Sequence, residues 1–133
     1  MMDITYRKDV IPATEAVVSV FERSGIHRPT ADSARIAEMF ARADLVVTAW
    51  DGDELVGVAR SLTDFCYCCY LSDLAVAAPY QRRGIGKKLV AMTREAAGEL
   101  ATLVLVAAPS AAEYYPGIGM EKLESAFAIR RKR

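Results

Sequence analysis

Residues 81–88, QRRGIGKK, combine two glycines with four cationic side chains. They lie between the strand-like run LSDLAVAAPY and the helix-like run LVAMTREAAGEL, so the sequence predicts a strand, a glycine loop and a helix. The first turn of a helix leaves backbone N–H groups without partners, and the helix dipole makes that end positive. Glycines allow a sharp bend and present no Cβ to an approaching ligand. The pattern therefore predicts a backbone site for a phosphate or pyrophosphate.

Two familiar nucleotide-binding loops do not fit this stretch. The P-loop needs more widely spaced glycines followed by Lys-Ser or Lys-Thr, whereas Lys87 is followed by Lys88. The dinucleotide fingerprint needs a third glycine after an early strand of a parallel sheet, while this loop follows a predicted antiparallel meander. The anion would instead be surrounded by the backbone N–H groups and the cationic side chains of one short segment. The candidate residues of this segment are Gln81, Arg82, Arg83, Gly84, Ile85, Gly86 and Lys87.

The elements that must position this loop follow from apolar periodicity and turn signals. Their predicted order is β-α-α-β-β-β-α-β-α-β, a mixed α/β sheet with helices on its faces. A strand–helix–strand connection after the loop would make the strand TLVLVAA buried and parallel to the LAV strand. The predicted segments are strand ITYR, helices 12–25 and 32–43, hairpin strands LVVTAW and ELVGVARSL around Asp51-Gly52-Asp53, strand CYCCYLSDLAV, the loop and its helix, strand TLVLVAA, short helix SAAEYY and strand KLESAFAI.

Length and charge restrict the function classes. With 133 residues we expect one domain, 1–133, that ends in a basic tail at 130–133. Seventeen basic residues balance seventeen acidic ones, so net charge favours neither a nucleic-acid nor a membrane partner. The start MMDITYRKDV lacks a signal-peptide core, and no apolar run is long enough to span a bilayer, so we expect a cytoplasmic protein.

All three cysteines lie in FCYCCY, as Cys66, Cys68 and Cys69. An odd number of cysteines so closely spaced is a poor disulfide framework. A zinc site needs about four ligands, and the one histidine, His27, is far away in sequence. We therefore expect no metal, and cysteines that fill a strand in a reducing compartment.

The loop and its surroundings resemble the GCN5-related N-acetyltransferases, or GNATs. Gln81-x-x-Gly84-x-Gly86 matches the family's Gln/Arg-x-x-Gly-x-Gly/Ala motif. SAAEYYPGIGM resembles a later signature, with Tyr114-Tyr115 in place of an aromatic-Tyr pair and Gly119-Met120 in place of Gly-Phe. The order of elements from 4 to 129 also fits, so the resemblance covers nearly the whole chain and implies the GNAT acyl-CoA fold.

This resemblance implies acetyl-CoA as cosubstrate, with its pyrophosphate on the 82–87 backbone. In the family the central strand and the next one splay apart around the pantetheine arm, which corresponds to Leu71–Val76 and Thr102–Ala107 here. Backbone groups of Leu74, Ala75 and Val76 would pair with the pantetheine amides. The Val76 N–H would point at the thioester carbonyl, where negative charge grows as an amine attacks.

The resemblance also gives Tyr115 the place of the general acid beside the sulfur of CoA. A phenol pKa lies above that of a thiol, so we expect Tyr115 to donate a hydrogen bond first and a proton second. Asp73, on the central strand, is the candidate general base. Asp64, Glu113 and a chain of waters remain alternatives. Tyr114, the neighbour of Tyr115, is expected to belong to the core.

Two positions depart from the family pattern. Ala108 stands where many members carry asparagine, and Pro116 is expected to end the SAAEYY helix directly after Tyr115. Neither departure affects the glycine loop at 81–88.

The expected activity is transfer of an acetyl group to a primary amine by direct attack in a ternary complex. RSLTDFCYCCYLSDLAV also resembles a group of small acetyltransferases that act on arylalkylamines and protein amines. A small aromatic or hydrophobic amine is the expected acceptor, in a pocket walled by aromatic side chains. The alternatives are a protein-amine acetyltransferase, a longer acyl donor, or a CoA-binding regulatory module without turnover, and a homodimer stays open. The expected wall residues are Phe40, Phe65, Tyr67 and Tyr70.

Overall fold

The computed structural model describes residues 3–132 and contains a five-stranded sheet in the order β1-β2-β3-β4-β5. Each of the pairs β1–β2, β2–β3 and β3–β4 is antiparallel, and β5 is parallel to β4. This is the mixed α/β architecture predicted from the sequence. The elements are β1 (Ile4–Arg7), α1 (Thr14–Ser24), α2 (Ser33–Ala41), β2 (Leu45–Asp51), β3 (Glu54–Thr63), β4 (Cys68–Val76), α3 (Ile85–Ala97), β5 (Thr102–Val104) and α4 (Tyr114–Gly117).

Helices α1 and α2 cover one face of the sheet. Gly25, in the left-handed conformation with φ 84°, ends α1, and the Asp32 side chain caps α2 by accepting from the Arg35 N–H at 3.1 Å. The apolar faces of both helices are buried against the sheet, as the helical spacing predicted. The core on this side contains Val17, Val20, Phe21, Ile36, Phe40, Val46, Val58 and Ala75.

Helix α3 covers the opposite face. Its buried side chains Ile85 and Leu89 pack against the middle of the sheet. The strands contribute Leu45, Val47, Ala49, Val56, Ala59 and Leu71 to this second core. The sheet is thus covered on both sides, and β4 lies between the two helical layers.

A β-bulge interrupts β4 at Ser72. Arg60 pairs with Asp73 while Ser61 pairs with Leu71, so β4 carries one extra residue at this point. The bulge reverses the strand's alternation. Before it, Leu71 packs in the α3 core; after it, Ala75 packs in the α1–α2 core. Asp73 is therefore placed on the α1–α2 face of the sheet.

Strands β4 and β5 pair over only three residues each. Cys68–Tyr70 pair with Thr102–Val104, and no pairing continues to the end of β4. The two strands therefore separate where the family resemblance implied a splay. The expectation of a buried strand over 102–107 is wrong, because β5 stops at Val104 and its side chains are exposed or half-buried at the edge of the sheet.

The C-terminal part differs from the sequence prediction in two ways. Pro116 does not end the helix at Tyr115: it lies inside α4, in a first turn where its missing N–H has no helical partner to lose. The predicted final strand KLESAFAI is absent, since residues 120–132 pair with no strand and Phe127 is 95% exposed. Of the predicted basic tail, 130–132 are exposed and Arg133 lies outside the described residues.

None of the helices within residues 3–132 has the length and apolar character needed to cross a membrane.

Candidate active site

The glycine loop forms an open helix N-terminus. Gly84 is the N-cap of α3 with φ 82°, a left-handed conformation that favours glycine. It has no side chain to cap the helix, and its carbonyl accepts from the Lys88 N–H at 3.0 Å. The N–H groups of the first turn, Ile85 to Lys87, are the ones that a helix leaves without internal partners. The start of α3 is therefore suited to an anion.

Hydrogen bonds fix the loop to the rest of the fold. The Gln81 amide donates to the Val76 carbonyl at 2.8 Å and to the Ser24 carbonyl at 3.3 Å. The Tyr80 hydroxyl donates to the Asp51 carboxylate at 2.6 Å, and this bond raises the pKa of Tyr80 to about 12. Gln81, a predicted cofactor contact, thus ties the loop to β4 with its side chain.

The cationic side chains of the loop differ in their surroundings. Arg82, Arg83 and Lys87 are exposed, and Arg82 has φ 64°, a strained value for a residue with a Cβ. The Lys88 ammonium lies 5.8 Å from the ring centroid of Tyr6 on β1. Lys88 therefore interacts with the sheet, while the side chains of Arg82, Arg83 and Lys87 are exposed near the start of α3.

The backbone of β4 offers hydrogen-bonding groups to the gap left by β5. The Ala77 N–H donates to the Val56 carbonyl at 2.9 Å, and the β3–β4 register runs without a shift from that point to Asp73. Antiparallel strands alternate which residues bond to a given neighbour. Ala75 therefore bonds to β3, whereas the N–H and C=O groups of Leu74 and Val76 point away from it. Of the predicted pantetheine contacts, the alternation leaves Leu74 and Val76 and removes Ala75.

Tyr114 lies over the start of α3. A Cβ placed on Gly86 would stand 2.9 Å from the Tyr114 hydroxyl and 3.9 Å from Val76 Cγ2. Tyr114 is 41% exposed, so the expectation that it belongs to the core is wrong. The physical reason is that α4 packs with this ring across the glycine loop, where Gly86 leaves room for it.

Tyr115 lies beside Tyr114, with ring centroids 5.1 Å apart in an edge-to-face arrangement. Tyr115 is half-buried, and burial is the main cause that raises its pKa. The neighbouring Tyr114 raises it further, and the positive charge of Arg28 partly opposes the shift. The Tyr115 hydroxyl is therefore protonated at neutral pH and able to donate.

Asp73 has no exposed side-chain surface and is bound by two arginines. One carboxylate oxygen accepts from Arg28 Nε and the other from Arg60 Nε. A base must reach the proton that it abstracts, and here both oxygens are already bound inside the protein. The prediction of Asp73 as general base is therefore corrected: its geometry is that of an ion-pair centre.

The other two carboxylates considered as bases differ from each other. Asp64 Oδ1 accepts from the backbone N–H groups of Cys66, Tyr67 and Cys68. These bonds lower the pKa of Asp64, which makes it a weak base and a loop-shaping residue. Glu113 is exposed in the segment that precedes α4.

The aromatic side chains expected to form an acceptor pocket do not come together. Phe40 is buried in the α1–α2 core, 6.1 Å from the Phe21 ring, with the Arg60 guanidinium 5.8 Å above it. Tyr67 is 77% exposed. Phe65 and Tyr70 are also exposed, and only Tyr70 belongs to β4.

The cysteines are only partly strand-filling. Cys69 is buried, whereas Cys66 and Cys68 are exposed. The Asp64 carboxylate raises the pKa of Cys66, which disfavours its reactive thiolate. Residues 3–132 contain no group of three or more side chains arranged to hold a metal ion.

Sequence reasoning missed the two arginines that hold Asp73. A signal was present, because Arg60 follows the apolar run of β3 and Asp73 stands in the predicted neighbouring strand. Opposite charges inside two adjacent buried strands indicate an ion pair. Arg28 carried no such signal, since it lies in the α1–α2 loop, where charges are usually solvated.

Comparison with known proteins agrees with this architecture. The signature of the acetyltransferase (GNAT) domain matches residues 10–130. No curated protein matches the sequence at a significant level.

Solved structures share the whole fold. A GNAT-family acetyltransferase of Streptococcus pneumoniae is 25% identical, with 98% of this chain and 99% of that chain covered and a TM-score of 0.78. A probable acetyltransferase of Staphylococcus aureus, whose function is unknown, is 22% identical, with both chains covered fully and a TM-score of 0.80. An aminoglycoside N-acetyltransferase solved with CoA is 17% identical, with 100% and 97% covered and a TM-score of 0.73.

Proposed function

The chain belongs to the GNAT acetyltransferase family, and we propose that it moves the acetyl group of acetyl-CoA to a primary amine by direct attack in a ternary complex. Family membership makes it an acyltransferase. The observation that carries the proposal further is the juxtaposition of two features at the end of β4. The edge of β4 beyond Tyr70 pairs with no residue of β5, and β4 leads through the glycine loop into a glycine-capped helix start.

This juxtaposition suits the two chemical parts of CoA. Pyrophosphate is a compact anion, and the first-turn N–H groups of α3 with the exposed Arg82, Arg83 and Lys87 favour it. Pantetheine is an extended chain of amides, which can pair with the unpaired edge of β4 as an additional strand would. In this arrangement Val76 and then Leu74 would pair with the amides. Because the pyrophosphate would lie beyond the Val76 end of β4, the thioester would lie toward Leu74.

Two groups then act on the reacting thioester. The Leu74 N–H, turned away from β3, would donate to the carbonyl oxygen as negative charge develops on it, in the role that the family resemblance implied for Val76. The Tyr115 hydroxyl donates to the departing sulfur, and its raised pKa keeps the proton on it at neutral pH. In each case a donor faces charge that grows only during the reaction, which is what lowers the barrier.

The attacking amine must be neutral. Two of the three carboxylates considered from the sequence already accept hydrogen bonds within the protein, Asp73 from two arginines and Asp64 from backbone N–H groups, and Glu113 is exposed in the segment before α4. We propose that the ammonium loses its proton to water, helped by the positive charge of Arg28 nearby, which disfavours a second cation. In this proposal water and the charge of Arg28 take the role of general base that the sequence suggested for Asp73.

The acceptor proposed is a small amine with an aromatic or hydrophobic body. Tyr70 supports this choice, because it lies on the same face of β4 as Asp73. The bulge at Ser72, between the two residues, brings both to that face. Two of the structural neighbours are aminoglycoside acetyltransferases, and aminoglycosides carry several positive charges. At 17% and 21% identity that likeness concerns the fold, and the cationic Arg28 disfavours such an acceptor here.

Release of free thiol from acetyl-CoA, measured against a panel of amines, tests the proposal. We expect amine-dependent thiol release, with intersecting double-reciprocal lines when both substrates are varied, as direct attack requires. Parallel lines would indicate an acetyl-enzyme and overturn direct attack. CoA binding without turnover of any amine would leave the chain as a CoA-binding module.

A further inference from the structure

A cluster of two arginines and one aspartate lies where the α1–α2 loop meets β4. Asp73 is fully buried, and both guanidinium groups donate to it. Ser72, the bulged residue, joins the cluster: its carbonyl accepts from Arg28 Nη2 at 2.8 Å and its hydroxyl from Arg60 Nη2 at 3.1 Å. Two positive charges against one negative charge leave the cluster with a net charge of +1.

The two arginines differ in what remains available on them. Arg60 is committed to the protein: it also donates to the Met39 carbonyl at 3.4 Å, lies over the Phe40 ring, and its side chain is only 10% exposed. These contacts are those of a structural residue. Arg60 holds Asp73 from β3 and stabilises the α1–α2 core.

Arg28 keeps N–H groups for another partner. Its side chain is 22% exposed, and its three bonds within residues 3–132 use one N–H on each nitrogen, to Asp73, to the His27 carbonyl at 2.6 Å and to Ser72. A guanidinium has more N–H groups than these bonds use. One N–H remains on each terminal nitrogen, and a guanidinium can bind a carboxylate with two hydrogen bonds from such a pair of nitrogens.

Arg28 also lies within reach of the proposed reaction centre. It is anchored on Ser72, and a strand rises roughly 3.3 Å per residue, so Leu74, the proposed donor to the thioester, is about 7 Å further along β4. Its positive charge also acts on Tyr115, where it partly opposes the rise in the pKa of the phenol. An amine near the thioester is therefore separated from Arg28 by the length of a small molecule.

On the basis of the acetyltransferase function proposed above, we propose that Arg28 binds an acidic group of the acceptor. The acceptor is then an amine that also carries a carboxylate, such as an amino acid with an aromatic or hydrophobic side chain. The same net positive charge repels acceptors that carry several ammonium groups. Asp73 acts as a positioning residue, since it fixes the guanidinium that meets the substrate.

Matched pairs of amines that differ only in the carboxylate test this inference. Phenylalanine is compared with phenethylamine, and tryptophan with tryptamine, by thiol release from acetyl-CoA. We expect kcat/KM to favour the carboxylate member of each pair by at least about tenfold, the scale of one charge-assisted hydrogen-bonded contact. A preference for the amines without a carboxylate would overturn the inference.

Two variants with the same loss of charge assign the preference to its residue. In Arg28→Gln the preference should disappear, because the KM of each amino acid should rise to that of its matched amine. In Arg42→Gln, which removes a 77% exposed arginine on α2's C-cap, the preference should persist. Retention of the preference in folded Arg28→Gln would contradict the assignment.

The outcomes separate this inference from the function on which it rests. Absence of turnover with every amine overturns the acetyltransferase proposal and this inference with it. Turnover without a carboxylate preference overturns the inference alone. Should Arg28→Gln fail to fold, Arg28→Lys keeps a positive charge beside Asp73 but lacks the planar fork, and an undiminished preference in that variant would contradict bidentate binding.

Discussion

The Tyr114 hydroxyl lies directly over Gly86, 2.9 Å from where a Cβ on that glycine would stand. The first turn of α3 therefore has a phenol above it as well as N–H groups and cations around it. Burial raises the pKa of Tyr114, so the phenol stays neutral and can donate a hydrogen bond at neutral pH.

Tyr114→Phe should weaken CoA binding without slowing the chemical step. Loss of one neutral hydrogen bond to a phosphate corresponds to roughly threefold to tenfold in affinity. Calorimetry measures the affinity, and kcat at saturating acetyl-CoA should match the parent. Tyr67→Phe, at a ring that is 77% exposed, is the control and should leave both unchanged. An unaltered affinity in Tyr114→Phe would show that the phenol does not contact the cofactor.

Tyr115→Phe should slow the chemical step with little effect on acetyl-CoA binding. The ring and its packing against Tyr114 remain, and only the hydroxyl is lost. Removing a donor that acts in the transition state commonly lowers the rate by on the order of 10²-fold. We therefore expect kcat to fall by about this factor while acetyl-CoA affinity changes little. Equal kcat values for variant and parent would move the donor role to another group.

Asp73→Asn should damage stability far more than the same change at an exposed aspartate. Breaking a buried ion pair leaves guanidinium charge uncompensated and costs about 3–5 kcal/mol. Asp9→Asn, which breaks an exposed pair with Arg7, should cost under about 1 kcal/mol. Urea unfolding measures both. A stable Asp73→Asn protein that has lost all turnover would instead restore Asp73 as the base.

Tyr80 predicts a pH-dependent contribution to stability. Folding raises its pKa from 10.0 to about 12, chiefly through the hydrogen bond to Asp51, so the folded state holds this proton more tightly than the unfolded state. The contribution is fully present below pH 10 and is lost as the pH rises toward 12. The difference in unfolding free energy between the parent and Tyr80→Phe should therefore shrink between pH 9 and pH 11.5. A difference that stays constant over this range would contradict the assignment of the raised pKa to this bond.

Local signals made most of the fold predictable. The Asp-Gly turn between β2 and β3, the Gly25 end of α1 and the glycine loop before α3 all depend on residues close in sequence. Backbone conformation at such positions is set largely by the residues themselves, so the sequence carries it directly.

Features that depend on distant pairing were not predictable in the same way. The bulge at Ser72 arises from the register of β4 against β3, and it alone decides that Asp73 faces Arg28 and Arg60. The segment KLESAFAI has the alternation of a strand, but alternation does not supply a neighbour, and its residues pair with none in residues 3–132. A strand needs a partner as well as a pattern.

Calorimetric titration with CoA of the parent and two glycine variants tests most directly whether the start of α3 holds the pyrophosphate. Gly84 and Gly52 both have positive φ, 82° and 61°, and a Cβ on either would meet no protein atom within 4 Å. Gly84→Ala and Gly52→Ala therefore impose a similar backbone strain of about 1–2 kcal/mol, but only Gly84 lies where the anion would approach. We predict that the parent and Gly52→Ala bind CoA equally and that folded Gly84→Ala binds at least about tenfold more weakly. Equal affinity in all three proteins, or no binding by the parent, would contradict the account.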